Sequence, residues 1–493
     1  MSEIPPPDDF SGLSEPSGPA IGKDEWVARH GERRSRRAGR LGEVEQRLLS
    51  MPWWGWLVFF CAAFALLPAV AHSSYVQRIA FDTVLYMLLA LGLNVVVGWG
   101  GLLDLGYVAF YGIGAYSYAL LDSDKLGVHL PTVVSVPLVV VIGAVAGFLV
   151  GLPSRRLVGD YLAIVTLFFL FLFLTVATNG DQLFGHDVTG GANGILNVDP
   201  FEIFGQALAV EHQGAFAVGY LYVALAVFAV VYAALYFVND SRTGRAWRSL
   251  REDSLAAEAM GMPVNLLKLM AFSFGAAVAA LTGTLFASLA ASTFPLTFSF
   301  PLLITVYTMV ILGGQGNMPG VVVGAVLVSV LLELLRDAAD ARILLYAFIV
   351  LALVFVFGRS PKLAIVLGGT IVFGFIAHAV AGAMNGHWTS GDTTSGLNSA
   401  LGNWVIIPDH LANWVGPVTY MGLICIALGL TLVHGWTRLI GLIPTLYLAS
   451  FVWENVLLAQ PDATRYIVLG AMLIVLMVLR PNGLFGERRV EII

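Results

Sequence analysis

Residues 131–152 read PTVVSVPLVVVIGAVAGFLVGL, 22 positions without a charge. An α-helix needs about 20 such residues to cross roughly 30 Å of hydrocarbon, and it satisfies its own backbone polar groups there. The pattern recurs at 53–71, 79–98, 102–121, 160–178, 216–238, 264–290, 297–314, 320–335, 343–357, 363–384, 415–433, 439–458 and 465–480, which makes 14 expected spans. Composition agrees: of 493 residues, 58% are hydrophobic and 12% charged, and mean hydropathy is +0.82. A soluble domain carries about 25% charged residues. The reading is an all-α polytopic membrane protein with about 14 transmembrane helices. Several segments are short, and Gly98, Gly100 and Gly101 around Trp99 allow a broken or re-entrant element, so the range is 11–14.

The cations set an orientation. If the N-terminus is cytoplasmic, alternation of these spans leaves 21 of the 26 Lys and Arg residues inside, the asymmetry expected of cytoplasmic loops. Both termini are then cytoplasmic, and 179–215 and 385–414 are long external loops. Residues 1–50 form a separate arm: Met1–Gly22 is rich in Pro, Ser, Gly and acids, and a basic run from Arg29 to Arg40 follows. Such a composition predicts disorder. Trp53, Trp54 and Trp56 then open the first span as interfacial aromatics do. Ala69-Val70-Ala71 resembles a cleavage site, but 52 hydrophilic residues precede the apolar run, where an entire signal peptide has about 15–30. The segment reads as a signal anchor, with processing within 1–71 left open.

Other classes fall away. A net charge of −6 without a basic stripe argues against nucleic acid. Cys61 and Cys425 are far apart in apolar runs and fit no disulfide or zinc framework. There is no Gly-x-x-x-x-Gly-Lys-Ser/Thr phosphate loop, so the chain is not its own P-loop ATPase. No catalytic constellation emerges; the external loop with His387, Asp392, Asp409 and His410 is the one place for an enzyme, and it reads as a solvated connector. Asp82, Asp104, Asp160, Lys268, Glu333 and Glu454 sit near span ends, and His378 reads as a helix-packing residue. A self-contained proton carrier needs ionisable groups deeper in the membrane. The driving force is therefore expected from another chain; the alternative is a self-contained secondary carrier, coupled to sodium through backbone carbonyls at broken helices.

The internal stretch 241–263, SRTGRAWRSLREDSLAAEAMGMP, reads as one helix over 243–262, capped by Ser241 or Thr243 and closed before Pro263. An amphipathic helix held by anionic lipid fits these residues, and so does a rigid element docking to a separate ATPase. Residues 244–261 resemble the coupling loop of the branched-chain amino acid ABC transporter permeases of the LivM type. Further motifs of that family follow in order: Ala90–Asn94 with Gly98–Tyr107 and Gly112–Tyr116, Gly159–Leu167, Thr189–Ile195, Gly313–Gly320 and the ending Arg480–Gly486. The resemblance covers roughly 75–357 and 464–486. Leu255 departs from the generic coupling motif, which has Glu there.

The resemblance implies half of a translocation path in the bacterial cytoplasmic membrane, formed with a second homologous permease subunit. Two ABC ATPase subunits would dock below, and an extracytoplasmic substrate-binding protein would deliver substrate. No cofactor is expected on this chain; ATP and Mg belong to the partner ATPases. Trp247, Leu250, Arg251, Ala256, Ala257, Glu258 and Gly261 are the expected ATPase-coupling residues, Asn94, Gly98, Asp104, Tyr107 and Thr166 line the path, and Asn193 meets the binding protein. An in-span Asn or Thr more often bonds a neighbouring helix than lines a path. Branched-chain amino acids are the first substrate class implied, with urea and short amides as alternatives. The domain reading is an arm at 1–50, a permease domain at 51–357, an insertion at 358–463, and a terminal helix and tail at 464–493. Glu333 with Arg342, and Glu454 with Arg465, suggest that the terminal helix pair is repeated; unrelated lipid-facing helices fit the same residues.

Overall fold

The computed structural model describes residues 51–486 except 155–156, 158, 183–186, 204–205, 209–217, 359, 390–402, 411, 413, 434, 459 and 480–482. The arm at 1–50, Arg155-Arg156, Asp392 and Arg480–Asn482 therefore lie outside the described residues. Helices overlie all 14 expected segments, and the strands are two-residue pairs. Among the described residues, ten helices are long and apolar enough to cross a membrane. Met318–Leu334 and Ala463–Met477 are shorter apolar helices. The described chain divides into two units, with the boundary between Phe60 and Cys61. In the first, Trp56 stacks on Phe60 with centroids 5.7 Å apart.

Helix α1 is Trp53–Val70 and α2 is Ser74–Leu93, continued by a π turn over Asn94–Trp99. The chain then leaves helical geometry, with Gly101 at φ +65°, before α3, Tyr107–Leu121. The span expected from 102 thus begins five residues later. Helices α4 (Thr132–Ser154), α5 (Asp160–Thr178) and α6 (Val218–Asp240) precede the loop helices, and α9, Val264–Ala290, is the axis of this half. Helix α9 lies against α3 and α4 through small residues. A Cβ on Gly114 would fall on the Ala280 backbone, and one on Gly147 would meet Phe272 O at 2.6 Å. Close backbone approach of this kind is how helices associate where hydrophobicity gives no preference between lipid and protein.

The segment 241–263 is two helices: α7, Arg242–Glu252, and α8, Ser254–Ala259. Asp253 is extended between them (φ −153°, ψ 107°), and its carboxylate accepts from Leu255 N and Ala256 N. That capping carboxylate divides the single helix expected over 243–262.

Helices α10 (Phe300–Gly313) and α11 (Met318–Leu334) form a hairpin on α2. Four helices follow: α12 (Ala338–Phe357), α13 (Pro361–Met384), α14 (Val415–Leu432) and α15 (Trp436–Val452) with a π turn over Trp453–Leu457. Leu353, Val366 and Leu439 join α12, α13 and α15 in one buried cluster. Helix α16, Pro461–Leu479, then packs against α10. Arg342 Nε donates to Glu454 Oε2 at 2.6 Å, so the Arg of the first suspected repeat pairs with the Glu of the second.

At the other end of α9, Ile195–Leu196 pairs antiparallel with Ser292–Thr293, and Asp199 N donates to Asp122 O at 2.7 Å. Lys125 Nζ donates to Asp187 Oδ2 at 2.5 Å and holds that carboxyl below the usual range.

Candidate functional site

The motifs read separately in the sequence meet at one junction, at the C-terminal end of α2. Ser241 caps α7 by accepting from Gly244 N at 3.4 Å. This sets Trp247 inward, fully buried, with Nε1 donating to Leu267 O at 2.9 Å. Its ring stacks on Trp99 at 6.3 Å and 19°. Trp99 Nε1 donates to Gly316 O at 3.1 Å, and Gly316 N donates to Asn94 Oδ1 at 2.8 Å. One turn beyond Trp247, Arg251 donates to Gly98 O and lies 3.5 Å from Gln315 O. Gly316, at φ +91°, admits this guanidinium: a Cβ there would lie 2.6 Å from Arg251 Nη1. The ending closes the same junction, with Leu484 N and Phe485 N donating to Leu312 O and Gly313 O at 2.8 and 3.1 Å.

A second cluster adjoins it. Tyr307 hydroxyl donates to Asp104 O at 2.7 Å and accepts from Asp104 N at 3.0 Å. Asp104 Oδ1 accepts from Gly106 N, while Thr166 Oγ1 accepts from Leu105 N, each at 2.9 Å. These bonds fix the non-helical stretch between α2 and α3. Tyr107 is buried where Gly92 leaves no room for a side chain of its own. Asn94, Asp104, Tyr107 and Thr166 all have no exposed surface within this chain. Among the described residues, Asn94 Nδ2 and Asp104 Oδ2 are buried without a partner.

Helix α8 projects from the junction. Ala257 faces inward at 4% exposure, together with Leu250 on α7. Leu255 and Met260 are 76% and 81% exposed, beside exposed Ala256, Glu258 and Gly261. Gly261, at φ +80°, ends the helix and turns the chain into Pro263 and α9. Leu255 and Met260 are absent from the expected coupling set, although Leu255 is where the coupling motif departs from Glu. Far from this junction, Asn193 is exposed on a short turn between Gly190 and Gly194, both left-handed in φ. Tyr307 escaped the sequence reading, and Gly316 was read only as part of the Gly313–Gly320 motif, because each acts through a partner about 200 residues away.

Ten described helices long and apolar enough to cross a membrane, with a short exposed helix projecting from the junction, define a polytopic helical membrane protein. Residues 75–358 match the family described as branched-chain amino acid transport system / permease component, and the chain belongs to that family. It is 38% identical over 303 residues to the high-affinity branched-chain amino acid transport system permease protein LivM of Salmonella typhimurium, covering 57% of this chain and 69% of the relative. The LivM of Escherichia coli is 37% identical over 301 residues, with the same coverage. The corresponding LivH of Escherichia coli is 23% identical over 254 residues, 50% of this chain and 80% of the relative. No solved structure matches.

Proposed function

We propose that this chain is the permease subunit of an ATP-driven ABC importer for branched-chain, aliphatic amino acids, and that α8 docks it to a separate ATPase. The observation that carries the proposal is the exposed apolar pair Leu255, on α8, and Met260, just past its end, next to a base locked by Arg251 and Trp247. An exposed apolar knob costs solubility unless a partner covers it. A rigid base lets it transmit displacement to α2, α9 and the Gly313–Gly320 turn.

In this reading the chain forms half of the path with a second homologous permease subunit. Two ABC ATPases bind ATP and Mg beneath it, and an extracytoplasmic binding protein docks near Asn193. The chain lies in the bacterial cytoplasmic membrane, crosses it about 14 times, and keeps both termini, 1–50 and 480–493, inside. The permease domain is 51–357 with the terminal helix 464–493, and 358–463 is an added membrane element. Asn94, Gly98, Asp104, Tyr107 and Thr166 serve the path as its joint: their bonds hold the break between α2 and α3, and the spare groups on Asn94 and Asp104 find partners in the other conformation.

The test is mild-detergent purification of tagged protein from its native host, with co-purifying chains identified and quantified. A second permease and two ATPase subunits are expected in near-equal amounts. Met260→Glu and Leu255→Glu should keep the chain in the membrane and lose the ATPases. Normal ATPase recovery with both variants would overturn docking through α8.

A further inference from the structure

Helix α7 lies across the ends of three apolar elements: α6, α9 and the π turn that closes α2. Its two sides differ. Trp247 and Leu250 point inward and are buried, while Arg242, Arg245 and Arg248 recur every three residues on the opposite, exposed side. Arg245 Nη1 donates to Asp240 O at 2.7 Å, and Arg248 Nη1 donates to Asn239 Oδ1 at 3.4 Å. Both guanidinium groups therefore reach back to the end of α6. Their acceptors are neutral, so the positive charge stays uncompensated. Asp240 before α7 and Glu252 at its end are the nearest carboxylates in sequence. Among the described residues, neither forms an ion pair with any of these three arginines. The end of α6 also marks a level in the membrane. Residues 218–239 carry no charge, and Phe237, two residues before Asn239, is 63% exposed. An apolar side chain left open on a spanning helix meets hydrocarbon, and cations just beyond the apolar stretch stand at headgroup level.

We propose that the exposed face of α7 binds anionic phospholipid of the cytoplasmic leaflet, and that this contact sets the pose of the coupling junction. Arg242, Arg245 and Arg248 receive the phosphate oxygens, which a guanidinium matches with paired donors. Each basic residue at an anionic surface strengthens attachment about fivefold. The bend at Asp253 then divides two roles within 241–263: α7 rests on lipid, and α8, with exposed Leu255 and the following Met260, meets the ATPase. On the inner side of α7, Trp247 and Arg251 carry the pose set by lipid to Trp99 and Gly98. The inference rests on the permease reading, which places 241–263 on the cytoplasmic side, and it adds a partner for that same junction.

The test reconstitutes the full complex in phosphatidylcholine nanodiscs, with or without about one third phosphatidylglycerol. ATPase activity of the parent should rise at least about fivefold with phosphatidylglycerol, and the rise should shrink as salt is added. The triple variant Arg242→Gln, Arg245→Gln, Arg248→Gln should respond by less than about twofold. Lysine at the same three positions keeps the charges and should restore most of the response. A second readout needs no ATPase: phosphatidylglycerol retained by the chain through mild-detergent purification, counted by mass spectrometry. The parent should retain more than the triple glutamine variant. Equal retention and an equal activity response in the two would overturn the lipid face. Loss of the ATPase subunits from the glutamine variant, with retention unchanged, would also overturn it and assign the arginines to the ATPase. A parent that purifies without any ATPase would sink the permease reading, and lipid retention would still decide the role of α7.

Discussion

Two helical regions of this chain are built differently. In the permease core, 83% of the apolar window of Ser74–Trp99 and 61% of that of Val264–Ala290 are buried inside the protein. In the added bundle the figures are 17% for Pro361–Met384 and 6% for Val415–Leu432, with Trp436–Leu457 at 39%, while the peripheral core helix Thr132–Pro153 has 22%. The core brings backbones together through glycine, so a side chain on Gly283 would strike the backbone of Tyr111 and Ala115. Around Gly422 and Gly429 in the bundle there is nothing within 4 Å. The core also places polar groups by long-range bonds such as Gly316 N to Asn94, and the bundle has bonds of its own, Trp404 Nε1 to Ile371 O and Asn455 Nδ2 to Ile406 O, beside a leucine cluster and the Arg342–Glu454 ion pair. Similar hydropathy therefore conceals two kinds of helix: those packed closely inside the protein, and those exposed along most of their length.

The largest expected effect tests this contrast directly. Gly283→Leu should cost about 3 kcal/mol or more, the upper end of overpacking penalties, because the obstacle is backbone and cannot rotate away. Gly429→Leu, in open space, should be within about 0.5 kcal/mol of the parent. Detergent-solubilised yield and thermal stability measure both, and a tolerated leucine at 283 would break the contrast.

Next comes the ion pair that ties the added element to α12. Side-chain exposure is 17% for Arg342 and 1% for Glu454, and removing one partner of such a pair costs about 3–5 kcal/mol. Glu454→Gln should therefore loosen the bundle. Limited proteolysis should find new cuts around 385–414, with the core fragment unchanged. New cuts within the core would show that the bundle supports it after all.

Arg251→Ala follows, at about 1.5–3 kcal/mol for lost bonds from a charged donor to buried carbonyls. Its sharper signature is functional: the apolar knob keeps its surface but loses its fixed base. Substrate-stimulated ATPase activity should fall more than thermal stability does. A fall in stability with full stimulation would make the junction a packing feature only.

What was legible in the sequence divides along the same line. Membrane thickness fixes span length, so periodicity-free apolar runs located the ten long apolar helices of the described residues, and Val264–Ala290 falls on the expected bounds. Charged and capping residues act locally, so the 241–263 segment was readable as helix, and Asp253 before Ser-Leu-Ala-Ala was a cap signal that went unread. Pairings across 200 residues leave no such trace. Asn94 and Asp104 stood out as polar residues in apolar surroundings, yet nothing in their spacing points to Gly316 or Tyr307. Asp82 and Glu333 were likewise visible as charges at span ends, but that they line one cavity with Arg78 and Arg465 is a product of packing. The suspected repeat turned out to pair crosswise, Arg342 with Glu454, a relation that linear comparison of the two stretches does not suggest.

The smallest effect contrasts two histidine–aspartate pairs in loops. In the bundle, His387 Nδ1 is 3.4 Å from Asp409 Oδ2, with the imidazole 85% exposed. In the core, His129 Nδ1 is 2.5 Å from Asp199 Oδ2, and Asp124 Oδ1 lies 3.4 Å from its Nε2. The hydrogen bond with Asp199, helped by that second carboxylate, raises the His129 pKa above the ordinary value near 6.5. The folded loop thus favours the imidazolium. Its contribution is complete below about pH 6.5 and is lost as pH rises through the elevated folded value. Because Asp199 N also bonds Asp122 O, the loss should appear as faster amide exchange across 122–131 and 195–201. Hydrogen exchange of the purified protein at about pH 5.5 and 8.5, corrected for intrinsic rates, measures it. His129→Gln should abolish the difference. An unchanged difference in that variant would transfer the pH response to another group and remove the distinction drawn here between the two loops.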